Sequence, residues 1–160
     1  QTERYSSFSM QIPFNCDTLT DAQHNDHKLV YAAHHLDSYW NFVVETHFDQ
    51  DTCFLTEKTF KCILNLQPFI VVGSAGSLKL LHHLGYKTFS DIINERYDDE
   101  KDPYQRMTEL IHLSYSIADR GHKDQRIMTK IMTPILKYNQ TKFLAPKTQR
   151  IMNLLNKLEY

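Results

Sequence analysis

Several class-defining features are absent or scarce in this chain of 160 residues. Lys and Arg number 18 against 19 Asp and Glu, for a formal net charge of -1. The basic excess expected of a duplex nucleic-acid binder is therefore missing. The three cysteines, Cys16, Cys53 and Cys62, form no C-x-x-C pair. Their odd number and low density argue against a disulfide scaffold and fit a reducing cytoplasm. No apolar run approaches the roughly 20 residues needed to cross a bilayer. The first residues do not show the pattern of a signal peptide. A cytoplasmic location is the expectation, in the host cell if the protein is viral. There is no internal repeat and no low-complexity tract. The 4 glycines form neither a Walker loop nor a complete G-x-G-x-x-G.

What remains is the composition of an ordinary soluble globular domain, with 41% hydrophobic and 23% charged residues. The length suits one α/β domain over residues 1–160, with a sheet part to about 90 and a helical part from about 91. The chain opens at Gln1 without Met, so a lobe or fragment of a larger protein is expected.

The polar opening carries a strand-like alternation at Ser7–Phe14, a loop from Asp17 to Asp26 and a short helix over Leu29–Leu36. Tyr39–Thr46 is aromatic and β-branched and reads as a strand. His47–Cys53 reads as an exposed loop. Thr56 is the expected N-cap of a helix running to about residue 66, with Phe60, Ile63, Leu64 and Leu66 at helical spacing. Pro68 opens a strand, Phe69–Val72, apolar on both faces as in an interior parallel strand. Gly73–Gly76 is a turn, Ser77 caps the next helix, and Gly85 ends it. Tyr86–Phe89 is a short strand or an extended connection.

Beyond Ser90 the chain turns helical. Asp102-Pro103 is a cap followed by proline. Met107, Leu110, Ile111, Ser114 and Ile117 form the expected buried face, and Gly121 ends the helix. The next helix carries Ile127, Ile131 and Ile135 and is expected to kink or break near Pro134. A last one carries Ile151, Leu154, Leu155 and Leu158. This order predicts an α/β fold, a partial Rossmann-like parallel sheet with a helical C-terminal tail.

Lys58 in a first helical turn lies against the positive end of the dipole, a cost of a few tenths of a kcal/mol. An anion bound by the lysine and the free N–H groups is one reason to tolerate it. A solvated lysine beside an ordinary N-terminal Glu57 is the plainer reading of the pair alone. Gly73, Ser74, Gly76 and Ser77 can offer backbone N–H groups to a phosphate, although a simple strand-to-helix turn explains them as well. The paired histidines, His24 and His27, His34 and His35, His82 and His83, lack the further ligands of a zinc site. Asp98, Asp99, Glu100 and Asp102 read as a solvated loop and a helix cap. Cys53 and Cys62 read as core or near-core thiols. No metal or cofactor is expected.

Glu45, then Phe54-Leu55-Thr56-Glu57-Lys58, then Pro68-Phe69-Ile70-Val71-Val72-Gly73 resembles the donor-binding motif of fucosyltransferase-like glycosyltransferases of the GT-B type. That motif runs E-N-S, Y-x-T-E-K, a helix, and V-P-V-V-x-G, and the match spans about 30 residues. Thr46 stands at the family's Asn, Phe54 at its Tyr, and Gln67 at a position often small or valine. The stretch from Ser77 through Leu84–Phe89 to Glu95–Asp98 also resembles a group of phage and marine-metagenome proteins. The first resemblance implies a C-terminal lobe that binds a nucleoside-diphosphate sugar. In it Glu57 contacts the ribose, Lys58 the diphosphate, and Phe54 lies near the base; Glu45, Thr56, Gly73, Ser74, Gly76 and Ser77 complete the site. The family's catalytic base belongs to an N-terminal acceptor lobe, to which nothing in this chain corresponds, so inactivity alone is expected. The alternative is a non-catalytic α/β structural or assembly module of phage or viral origin. Two further expectations follow: that β-segments near 40–45 and 69–72 are parallel, and that Glu57 and Lys58 share one open cleft with the Gly73–Ser77 turn.

Overall fold

A computed structural model describes residues 38–155. The strand at Ser7–Phe14, the loop at Asp17–Asp26, the helix at Leu29–Leu36, Cys16, the first four histidines and Leu158 lie outside these residues. The described elements are β1 (Asn41–Val44), α1 (Glu57–Leu64), β2 (Phe69–Val72), α2 (Ser77–His83), a 3-10 turn (Arg96–Asp99), α3 (Pro103–Ala118) and α4 (His122–Leu155). β1 and β2 pair in parallel, Asn41 opposite Phe69 and Val44 opposite Val72. The chain is thus mixed α/β, with two parallel strands and four helices among the described residues. None of these helices is long and apolar enough to cross a membrane.

β2 is the centre of the core. Phe69, Ile70 and Val71 are buried, as the continuous apolar run requires of a strand covered on both faces. Removing each such side chain from water stabilises the fold by about 1.5–3 kcal/mol. Around them pack Cys62 and Ile63 of α1, Leu78 and Leu81 of α2, Phe89, Tyr97, Leu110, and Met132 of α4. β1 is buried on one side only, through Val43, and leaves Phe42 and Val44 exposed.

α1 stops two residues earlier than the apolar spacing predicts. Asn65 caps it. Leu66 turns left-handed, with φ 54°. The Gln67 N–H then reaches Cys62 O at 3.0 Å and the Leu66 N–H reaches Ile63 O at 3.3 Å. This is the helix-ending loop that glycine usually makes. It turns the chain back into β2. Tyr86–Phe89 proves to be an extended connection. The Asn139 amide receives the Lys87 N–H and donates to Lys87 O, both at 2.8 Å, so a side chain satisfies the segment where a strand would.

The two long helices are rotated from the faces their apolar residues suggest. α3 buries Arg106, Leu110, Leu113 and Ile117, while Met107 and Ile111 face outward. α4 buries Gln125, Met128, Met132, Leu136 and Asn139, while Ile127 and Ile131 are exposed. α4 also runs unbroken past Pro134 and Pro146. Pro134 lies on the exposed side, so water can serve the carbonyl freed by its missing N–H.

Candidate functional site

The α1 start is built around Glu45, the first residue after β1. Thr56 is extended, at φ -102° and ψ -177°, and its hydroxyl accepts from the Lys58 N–H at 3.3 Å. The same hydroxyl donates to Glu45 Oε2 at 2.5 Å. Glu45 Oε1 accepts from the Thr56 N–H at 3.1 Å and from the Thr59 hydroxyl at 2.6 Å. Glu45 is only 4% exposed. A carboxylate here satisfies an orphan N–H and lies at the positive end of the helix dipole. Its oxygens are therefore engaged within the fold, beneath the site rather than facing a ligand. Burial, with the nearby Glu45 charge as a lesser cause, pushes the Cys62 thiol up to about 12.

Glu57 and Lys58 are both exposed. The Glu57 carboxylate makes no hydrogen bond or ion pair among the described residues. Lys58 donates to the Val44 carbonyl at 2.9 Å. Asn41 and Glu45 give their N–H groups to Pro68 O and Val72 O, each at 2.9 Å. Val44 is out of phase with them, so its carbonyl points away from β2. Lys58 accordingly lines a depression of about 300 Å³ with Lys61 and the outer side of Asn41–Val44. Phe54 is 52% exposed, with its ring centroid 5.6 Å from that of His47.

The Gly73–Ser77 turn closes the carboxyl end of β2. A Cβ on Gly73 would lie 3.0 Å from Ser77 Oγ and 3.5 Å from Glu45 Cβ, so the backbone approaches closely there. The cap of α2 is Gly76, left-handed at φ 86°, and not Ser77. Ser77 is the first helical residue, and its hydroxyl donates back to Ser74 O at 2.7 Å. Ser74 Oγ is buried with no partner.

At the start of α2, the N–H groups of Gly76, Leu78 and Lys79 that an incoming phosphate would use are already engaged. Asp98 O accepts from Gly76 N–H at 2.8 Å. Asp98 Oδ1 and Oδ2 accept from the Leu78 and Lys79 N–H groups at 2.9 and 3.1 Å. The Asp98 carboxylate thus takes the anion position of α2. Sequence reasoning placed Asp98 in a solvated loop; it is 6% exposed. Burial raises its pKa, partly offset by the two amides. Nearby, Glu95 accepts from the Thr88 hydroxyl at 2.6 Å and the Phe89 N–H at 2.8 Å, and burial raises it too.

The two loops meet at the carboxyl ends of the strands. Cys53 Sγ donates to Ala75 O at 3.0 Å, and Glu45 packs on Gly73. The Lys58 ammonium is not part of that meeting: it lies on the outer side of β1, and no residue of the Gly73–Ser77 turn lines its depression. The expected shared cleft is therefore not formed by these side-chain positions.

Sequence reasoning also missed Arg106, which is 2% exposed. Its Nε donates to Gly73 O at 3.1 Å, and Nη1 to Glu100 O and Lys101 O at 2.7 and 3.2 Å. Nη2 donates to Phe48 O. The guanidinium also lies 4.4 Å from the Phe48 ring centroid. Its signal in the sequence is its place one turn before Leu110 on the buried stripe of α3. Among the described residues no three metal-ligating side chains converge. No family model, curated protein or solved structure matches the chain.

Proposed function

We propose that this chain is the donor-binding lobe of a GT-B-like glycosyltransferase, taking a nucleoside-diphosphate sugar at the start of α1. The observation that carries the reading is the parallel β1–α1–β2 unit whose α1 start, following the carboxyl end of β1, bears the exposed Glu57 and Lys58; α/β proteins bind ligands at such strand ends. The T-E-K order within the resemblance to fucosyltransferase-like enzymes supports it. Lys58 would leave the Val44 carbonyl to meet the diphosphate, and Glu57 would accept from ribose hydroxyls. Phe54 offers an exposed ring to the base. Glu45 and Thr56 hold the helix start in place. Gly73, Ser74, Gly76 and Ser77 shape the adjoining turn. Lys58 would stabilise the leaving diphosphate electrostatically, without a metal.

A charge-assisted contact of this kind is worth about 1.5–3 kcal/mol. Lys58→Ala is therefore expected to weaken nucleoside-diphosphate binding by roughly 10–100-fold and leave the fold intact. Titration calorimetry with guanosine, uridine and adenosine diphosphates measures it. Binding without sugar transfer by the chain alone is the expected result. Heat from none of the three, or equal affinity in Lys58→Ala, would overturn the proposal. A second reading, a non-catalytic structural or assembly module, is favoured by one observation: Asp98 fills the N–H groups of α2 as an anion would.

A further inference from the structure

We infer that Arg106 is the positioning residue of the proposed nucleotide site, setting the relation between the loop after β1 and the turn after β2. The inference rests on the donor-binding reading for its ligand and on geometry for the rest. One guanidinium donates to Phe48 in the first loop, to Gly73 in the second, and to Glu100 and Lys101 in the approach to α3. These are carbonyls of three separate segments, distant in sequence. Among the described residues no carboxylate pairs with it in an ion pair. The charge is held by carbonyl dipoles and by the Phe48 ring.

That arrangement differs from a structural salt bridge in what it constrains. The guanidinium is planar, and its donors diverge at fixed angles. The carbonyls it binds are thereby held at fixed separations. Phe48 lies three residues past Glu45, whose carboxylate anchors Thr56 at the start of α1. Gly73 opens the turn that packs on Glu45. Arg106 thus fixes both loops, and the start of α1, which bears Glu57 and Lys58, is tied to them through the Glu45 bonds to Thr56 and Thr59. A lysine at 106 keeps the charge but cannot span four divergent carbonyls. A glutamine keeps planarity but offers a single NH2 group.

The test is hydrogen exchange on the whole chain, for the wild type, Arg106→Lys and Arg106→Gln. In both variants the hydrogen-bonded amides of Thr56, at the end of the first loop, and of Gly76 and Ser77, in the second, are expected to exchange faster by about tenfold or more, the equivalent of one charge-assisted hydrogen bond. Strand amides and the α4 amides should change far less. Guanosine, uridine or adenosine diphosphate, whichever binds the wild type, should bind Arg106→Gln about tenfold more weakly and Arg106→Lys more weakly than the wild type but by a smaller factor. Unchanged exchange in the two loops overturns the inference. So does loss of α4 protection in step with the loops, or failure of both variants to fold, because Arg106 would then be a general core residue. If the wild type binds none of the three diphosphates, the donor-binding reading fails, while the exchange pattern still decides whether Arg106 positions the loops.

Discussion

Glu45 accepts three hydrogen bonds while almost wholly buried. Its truncation leaves one N–H and two hydroxyls beneath the surface without that acceptor. Glu45→Ala is expected to destabilise by about 3 kcal/mol, measured as a shift of the urea midpoint at constant slope. Glu57→Ala, which removes a carboxylate with no partner among the described residues, should change stability by no more than about 0.5 kcal/mol. Glu95 gives a pH prediction of the less usual sign. Burial raises its pKa above the ordinary value of 4.5, against the opposing bonds from Thr88 and Phe89 and the nearby His82. The folded state therefore favours the protonated carboxyl. That stabilisation is complete below the unfolded-state pKa and is lost as pH rises through the raised folded value. Melting temperature followed upward from about pH 4 should fall for the wild type relative to Glu95→Gln. A difference that grows instead as pH is lowered would contradict this account.

At the scale of the element, two helix starts were legible, while the cap at Ser77 and the buried faces were not. Thr56 and Asp102 start α1 and α3 as their side chains predict, Asp102 accepting from the Gln105 N–H at 2.9 Å. These are local bonds between near neighbours in sequence, so the sequence carries them. The buried face of α3 depends on whether a positive charge at 106 finds carbonyls in three other segments, which no periodicity reveals. Ile111→Lys, on the outer face, is expected to change stability by about 0.5 kcal/mol or less. Leu113→Ala should cost about 2–5 kcal/mol. Equal costs, read from chemical unfolding, would mean the helix is turned as its apolar pattern suggests. In α4, Gln125 and Asn139 belong to the buried stripe because they bind backbone and Trp40. The Gln125 amide donates to Ile117 O at 2.5 Å, and its Oε1 accepts from Trp40 Nε1 at 3.2 Å. Pro134 reads as a break, yet the helix continues because that proline is exposed. Pro134→Ala should raise stability by about 1–3 kcal/mol.

For the molecule as a whole, α4 ties the helical part to the sheet part. Phe143 stacks on Phe60 at 5.7 Å, Gln140 donates to Leu64 O at 2.7 Å, and Trp40 bonds to Gln125. Trp40 is the one tryptophan, so its fluorescence reports whether α4 remains docked beside β1. Fluorescence and far-ultraviolet circular dichroism are expected to show coincident urea transitions, as for a single cooperative unit. An earlier fluorescence transition would mean that α4 separates first. The sequence by itself determined the local matters: two apolar strands, the helix starts at Thr56 and Asp102, and an exposed acid–base pair at Glu57 and Lys58. Each follows from interactions between residues close along the chain. The parallel pairing of the two strands was also expected from their apolar pattern, whereas tertiary structure alone decided that Glu45 lies beneath the α1 start, that Asp98 holds the α2 amides and that Lys58 turns outward. It also decided that Arg106 joins the loops. A buried charge must be matched by dipoles or opposite charge, and its partners here lie up to 58 residues away in sequence, beyond any local pattern.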